Sequence, residues 1–408
     1  MPASSTTPTF LTPADFILPF PGRSDADKIQ GKLSACWCDH FDGLMHDRDA
    51  WDRMTNGTPF GQTLWLAPWW DHLADKRHCR TLVVRDEAGK LFGALPLYHD
   101  DATPHSLHNM ADGKTCTDHV SVLAAPDHTD DVIDAMAGFL AGTAMEPSSR
   151  WNSIQIDGVV EGDPRMESLL CALARRGVSV HRESRMSTWF VPCAESFDEY
   201  LKKFSRKHRH HHRKLLRDFD QSETLHARFA QNIDDVRSIL GDLIQLHQDR
   251  WVAAGFPGSF ADDASRRFIH RVAELALHQD RLSLLALCLD DQTIAASLSL
   301  IGDDDRAYCY CTGADLNLSK VQPGKTLNMF MLRHAHQQGY QGVDFMRGDE
   351  QYKSRLHGQP RRVMDVRLEA PGLAGRWRHV SRLAQTTVKQ TIRKTLKRPT
   401  VDVIPLAD

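Results

Sequence analysis

The segment VDFMRGDEQYKSRL, Val343 to Leu356, decides the fold. Val343 to Met346 is a short apolar run of the kind that forms a buried strand, and Gly348 ends it. Asp349, Glu350, Tyr352, Lys353 and Arg355 then crowd together. On a helix, Asp349, Tyr352 and Lys353 share one side at i, i+3 and i+4, with Asp349 near the N-cap. Such a segment is either a salt-bridged surface helix or a reactive one, and its surroundings decide between the two.

Working outward, Arg362 to Leu368 reads as a last strand. A helix spans about Gly324 to Gln338, with Leu327, Phe330, Met331 and Ala335 on its apolar face. Before it, Leu284–Leu289 and Thr293–Leu300 flank an Asp-Asp-Gln turn as a hairpin, and Ala307 to Thr312 is a third strand. The first half repeats the plan. Gln62 to Asp75 is a Trp-rich helix, and Thr81–Arg85 and Leu91–Leu97 form a hairpin. Strands near His119–Leu123 and Trp151–Ile156 alternate with helices near Asp131–Leu140 and Pro164–Arg176. Two similar α/β subdomains in tandem, of mixed and mostly antiparallel sheet with flanking helices, are expected. The expected boundaries are a partly irregular leader at 1–58 with a helical piece near Leu33–Met45, a first domain at 59–195, a basic linker helix at 196–220, a second domain at 221–370 and a basic amphipathic tail at 371–408.

Composition agrees with this plan. At 408 residues the chain has room for two domains, and 41% hydrophobic with 25% charged residues is globular material. A net charge of −3 argues against binding polyanions by bulk charge. Nine scattered cysteines, an odd number, argue against a disulfide framework and for a reducing compartment. Cys309 and Cys311, two apart on a strand, are expected on one face as buried thiols. Neither a signal peptide nor a long apolar run is visible, so a cytoplasmic location is expected.

Gln322-Pro-Gly-Lys-Thr326 opens the helix at Gly324. Its free N–H groups, with Lys320 and Lys325 nearby, suit an anion such as a pyrophosphate, although Pro-Gly before a helix is also an ordinary cap. Lys202 to Arg217 holds eight Lys or Arg and no acid. Arg206, Arg209 and Arg213 form a stripe able to hold an anionic substrate or RNA. On the other side Leu201, Phe204, Leu215 and Phe219 leave two core positions to His208 and His211, which become candidates for proton transfer. The His210–His212 run lacks a nearby acid, and no metal is expected. Arg376 to Arg398 carries eight further bases and an apolar face, which suits peripheral contact with the inner face of an anionic membrane or docking on protein.

VDFMRGDEQYKSRLHG, together with PFGQTLWLAPWWDHLA, GALPLY, SFDEYLKKFSRKHRHHHRK and LHQDRWVAAGFPGSFADDASRRF, resembles the CelD/BcsL-like family of GNAT acyltransferases across about 59–368. More distantly, the tandem layout is similar to FemAB-type aminoacyl transferases. The resemblance implies a GNAT fold with acyl-CoA as co-substrate and no permanently bound cofactor. It implies an acyl group, acetyl first, passing to an amine or hydroxyl of a sugar or small metabolite. The strand Tyr308–Gly313 would supply an N–H to the thioester carbonyl, and Tyr352 would protonate the leaving thiolate. Tyr310, Thr312, Gly313, Lys320, Gly324, Lys325 and Thr326 would line the donor site. Trp251, Arg347 and Lys353, with Arg206, Arg209 and Arg213, would meet the acceptor. Glu350, Asp349, His208 and His211 remain open as general base. The family's Gln/Arg-x-x-Gly-x-Gly/Ala loop is reduced here to one glycine. A donor of aminoacyl-tRNA type, and a non-catalytic scaffold in polysaccharide or natural-product assembly, are the competing expectations.

Overall fold

The computed structural model describes residues 29–318 and 320–372. The first half runs β1 (Ser34–Cys38), α1 (Phe41–Leu44), α2 (Arg48–Arg53), α3 (Thr63–Leu73), β2 (Arg77–Cys79), β3 (Thr81–Arg85), β4 (Leu91–Leu95), β5 (Leu97–Asp100), β6 (Ser106–Asn109), β7 (Leu123–Ala124), α4 (Thr129–Thr143), β8 (Ser153–Val160), α5 (Pro164–Arg175) and β9 (Ser179–Pro192). The second half runs α6 (Phe197–Lys202), α7 (Arg206–Asp220), β10 (Leu225–Phe229), α8 (Ile233–Ala253), α9 (Asp263–His278), β11 (Leu282–Leu289), β12 (Gln292–Ile301), β13 (Arg306–Ala314), α10 (Pro323–Gln337), β14 (Gly342–Arg347), α11 (Gln351–Arg355) and β15 (Gln359–Glu369). Helix starts follow the sequence: Asp163, Ser196, Ser205, Asn232 and Asp262 each cap one by accepting from the third residue on.

The described residues form two sheets, ordered β1-β3-β4-β7 and β10-β11-β12-β13-β14-β9-β15-β8-β6-β5-β2. The larger sheet joins the halves by an exchange of strands. β9, from the first half, lies between β14 and β15, and β15, from the second half, lies between β9 and β8. β9 has 14 residues and reads SVHRESRMSTWFVP, too polar and irregular to announce a strand in sequence. Its ladders to β14 and β15 hold it there.

Among the described residues three apolar clusters hold the layers together. α4 and α5 cover one face of the first-half sheet through Met136, Leu140, Leu169 and Leu173. α10 covers the second-half sheet through Leu327 and Leu332 against Val343 and Phe345. A shared cluster packs Trp65 and Trp69 of α3 against Leu240, Leu243, Phe268 and Leu298 of the second half. A buried tryptophan hides about 200 Å², roughly 5 kcal/mol of gross stabilisation.

The structure corrects three expectations. Ser34–Cys38 is a strand rather than part of a helix, because Ala35 and Trp37 pack inward while the backbone pairs with β3. Around His119 the expected strand shrinks to Leu123–Ala124, since Cys116 and His119 take left-handed backbone angles. Cys309 and Cys311 are buried on opposite sides of β13, because one extra residue between them breaks the alternation. Burial raises both thiols, Cys309 to about 12. Residues 1–28 of the leader and the basic tail from 373 lie outside the described residues. Among the described residues no helix is long and apolar enough to cross a membrane.

Candidate functional site

β13 and β14 run parallel and pair only where Arg306–Tyr308 meets Gly342–Asp344. Beyond that they part, for two local reasons. β13 slips against β12 between Leu298 and Ser299, so Tyr310 is an extra, bulged residue. On β14, Met346 has a φ of +55°, and the ladder to β9 is interrupted between Asp344 and Arg347. The result is a wedge in which β13 beyond Tyr308 has no ladder with β14, so an extended ligand could lie along it.

α11 closes one side of the wedge. Lys353, 2% exposed, donates from Nζ to the carbonyls of Met346 (3.1 Å), Arg347 (2.8 Å) and Gly348 (3.1 Å), and its ammonium lies 3.0 Å from Glu350. It ties the short helix to the end of β14 and is not free to meet a substrate. Gly348 has a φ of +116°, and a Cβ there would strike the Glu350 carboxylate. Asp349 accepts from Ser187 N (3.2 Å) and Trp189 Nε1 (3.1 Å) on β9. Both carboxylates of the motif are therefore engaged in holding the turn. Tyr352 packs edge-on against Phe345 at 6.0 Å and lies within electrostatic reach of Cys309 on β13 and Arg250 on α8. Burial, then the Glu350 charge, raises its phenol well above the ordinary value, so it keeps its proton at neutral pH.

The donor-side residues divide. Tyr310 sits on the bulge and donates to Thr115 O (3.0 Å). Lys320 and Lys325 are exposed, and Gly324 opens α10 beside Ala314. Thr326 is buried, its hydroxyl donating to Val321 O (3.0 Å). At Gly313 a Cβ would lie 2.8 Å from Leu246 Cβ and 3.0 Å from Leu243 O and His247 N. That glycine makes room for α8. Thr312, beside it, is half-buried on β13.

Facing the wedge is the loop 113–119 of the first half, which sequence reading passed over. Arg347 donates from Nε to Asp118 (2.7 Å) and from a terminal nitrogen to Thr117 O (2.7 Å), and its own N–H reaches Asp118 (2.9 Å). Burial works against the Arg347 charge, but the adjacent Asp118 outweighs it and raises the guanidinium's pKa. His119 meets Asp344 at 3.0 Å, and Asp344 also accepts from Thr188 Oγ1 (2.6 Å) and Met346 N (2.7 Å). Burial alone would raise Asp344. The His119 charge and these donors outweigh it and bring the carboxyl down to about 2.

Beside Arg347 lies the face of β8, β15 and β9 opposite α4 and α5. Ile154, Ile156, Val366 and Leu368 point to the helices, so Gln155, Asp157, Asp365 and Arg367 point away. Arg185 lies 2.5 Å from Asp365 and 3.8 Å from Asp157. Burial, then the Asp157 charge, lifts Asp365 to about 6 against the pull of Arg185. Only the coincidence of strand exchange and alternation brings these residues together, so no sequence spacing announces them.

On α7 the structure changes the expected register. Ser205 caps a new helix, breaking the phase carried from Leu201 and Phe204. His208 is exposed and His211 half-exposed, while His212, with Leu216 and Phe219, faces inward. Arg206 is exposed, Arg209 half-buried, and Arg213 pairs with Asp198 (2.8 Å). Trp251 donates to His247 Nε2 (2.9 Å) at the end of α8 and packs on Phe256. Burial lowers His247 to about 4.

Residues 206–354 match the Acetyltransferase (GNAT) domain family. No curated protein shows a significant match. Among solved structures, one described as FemX superposes with a TM-score of 0.54 at 11% identity, over 79% of this chain and 95% of that one. L-PGS from Bacillus licheniformis gives 0.49 at 11% identity, over 84% and 94%, and a tandem GNAT protein from the clavulanic acid biosynthesis pathway gives 0.45 at 13%, over 84% and 100%. Residues 206–354 thus resemble a GNAT acetyltransferase domain, set within a mixed α/β fold that the chain shares with FemX.

Proposed function

We propose that the protein is an acyltransferase that moves an acyl group, acetyl first, from coenzyme A to an amine or hydroxyl of a sugar or small metabolite. The observation that carries this is the wedge between β13 and β14, with a bulge at Tyr310 and the Tyr352 phenol beside it. The thioester arm lies along β13, and a main-chain N–H of the bulge takes the developing oxyanion. Tyr352 donates a proton to the leaving sulfur. The acceptor comes from the opposite side, past Arg347, and Asp365 takes its proton, a task suited to a carboxylate titrating near 6. Lys353, Asp349 and Glu350 position Tyr352 without touching either substrate. Calorimetry with acetyl-CoA and longer acyl-CoAs tests the donor; no binding at millimolar concentration rejects it. Tyr352→Phe should lower kcat at least tenfold with donor Kd unchanged, and equal loss of both rejects the acid role.

A second reading, transfer from an aminoacyl-tRNA, is favoured by the exposed bases Arg206, Lys207 and Arg217 along α7 and by the fold shared with FemX. Activity would then be abolished by RNase and fall steeply with salt.

A further inference from the structure

The histidine run of α7 is not used by the chemistry above, yet its surroundings are unusual. α7 and α10 lie side by side in parallel. Phe219 packs on Phe330 at 5.4 Å, and Arg333 grips Asp220 with two bonds of 2.6 and 2.9 Å. The second turn of α7 is thereby brought to the first turn of α10, with His212 in reach of Lys325. Phe204 is sandwiched between two rings, His212 at 4.6 Å and His357 at 4.7 Å, and His211 lies 5.9 Å from His212. His357 belongs to the turn after α11, the helix that carries Tyr352.

The charged groups around this spot are bases. His208 and His211 come from α7, Lys325 from α10, His357 from the α11–β15 turn, and Lys203, acting on His357, from the end of α6. The acids of α6 are committed elsewhere, Asp198 to Arg213 and Glu199 to Lys202. His212 Nδ1 is buried without a hydrogen-bond partner. Burial first, then His211, His208, Lys325 and His357, lowers its ring to about 4, so it is neutral at pH 7. So many bases with no acid among them repel one another, and a bound anion would relieve that repulsion.

We propose that His212, His211, His208, His357, Lys203 and Lys325 form a phosphate-binding subsite for the nucleotide end of the acyl donor, and that occupancy draws a proton onto the cluster. This rests on the acyl-CoA reading above. It also accounts for a donor loop with a single glycine: side-chain cations on a neighbouring helix replace the backbone cradle that the loop lacks. An anion beside His212 offers the partner its ring is missing and favours the charged imidazolium. Binding should therefore take up protons and weaken as pH rises.

Calorimetry on the full chain tests this, with inorganic pyrophosphate and 3′,5′-ADP titrated at pH 7 in two buffers of different ionisation heat. We expect one site, uptake of between about 0.5 and 1 proton, and affinity falling about 10- to 100-fold from pH 6 to pH 8. His212→Gln should abolish most of the uptake and flatten the pH dependence. His357→Gln, at the rim of the cluster, should do so in part and guards against a folding defect in the first variant. Binding without uptake, or uptake unchanged in both variants, overturns the proposal and leaves the acyltransferase reading standing. Proton-coupled binding of both probes in a protein that binds no acyl-CoA would overturn the acyl-CoA reading, and with it the assignment of this site to the acyl donor, and leave a phosphate-binding cluster for another ligand. A twelve-nucleotide RNA that binds here and is not displaced by coenzyme A would also overturn it, in favour of a polynucleotide donor.

Discussion

Replacing Lys353 by methionine separates a positioning lysine from a substrate-binding one. Methionine fills most of the stem's volume and removes the charge. The carbonyls of Met346, Arg347 and Gly348 lose their donor, and Glu350 loses its counter-ion, in a place where Lys353 itself is 2% exposed. An abandoned buried acceptor costs about 1–3 kcal/mol, and breaking a buried charge pair from one side costs about 3–5 kcal/mol. The terms overlap, so about 3–5 kcal/mol is expected in total. In a chain of this size, at about 2 °C per kcal/mol, Tm should fall by about 6–10 °C. Differential scanning calorimetry reads the shift. The companion Lys353→Met/Glu350→Gln variant should recover about 1–2 kcal/mol, because no uncompensated carboxylate remains. In turnover, kcat should fall because Tyr352 is no longer held at the wedge, with acceptor KM little changed. A variant within 1 kcal/mol of the parent that raises acceptor KM tenfold would refute the reasoning and return Lys353 to the substrate.

Asp344→Asn should destabilise at neutral pH. A carboxyl held at about 2, against about 4 when unfolded, contributes on the order of 2–3 kcal/mol. Because the folded pKa is the depressed one, that contribution is present above pH 4 and disappears as pH falls through 2. The unfolding curves of parent and variant should therefore converge in acid, and a gap unchanged at pH 2 would count against the His119–Asp344 account. Asp365→Asn should remove the rise of kcat/KM through about pH 6 and leave donor Kd unchanged; a pH profile identical to the parent's would exclude Asp365 as the base. Gly313→Ala should cost about 1–3 kcal/mol by pushing α8 off β13, read as a lower Tm, whereas a stable variant with weakened donor binding would place Gly313 at the ligand after all.

Local patterns were legible in the sequence, and contacts between distant segments were not. The hairpins of β3–β4 and β11–β12 and the helices α4, α5 and α10 show in apolar periodicity and turn residues, because these elements are fixed by neighbours in the chain. β9 does not, since its 14 mostly polar residues become a strand only between β14 and β15. The site divides along the same line. The motif put Tyr352, Lys353 and Glu350 forward alike, and only the contacts show Lys353 and Glu350 bracing the turn. A crowded run of charges has the same sequence signature whether its partners are carbonyls or a substrate. The α7 histidines show a subtler loss. A single cap at Ser205 resets the helical phase and moves the inward position from His208 and His211 to His212. Asp365 and Asp157 lie more than two hundred residues apart and meet because β15 crosses into the first half. That crossing has a functional consequence. It lets a strand from the second half carry a carboxylate onto the first-half sheet next to Arg347, so neither half holds the proposed acceptor side alone, and cutting the chain at the α6–α7 junction would leave each part short of a strand and of half the site.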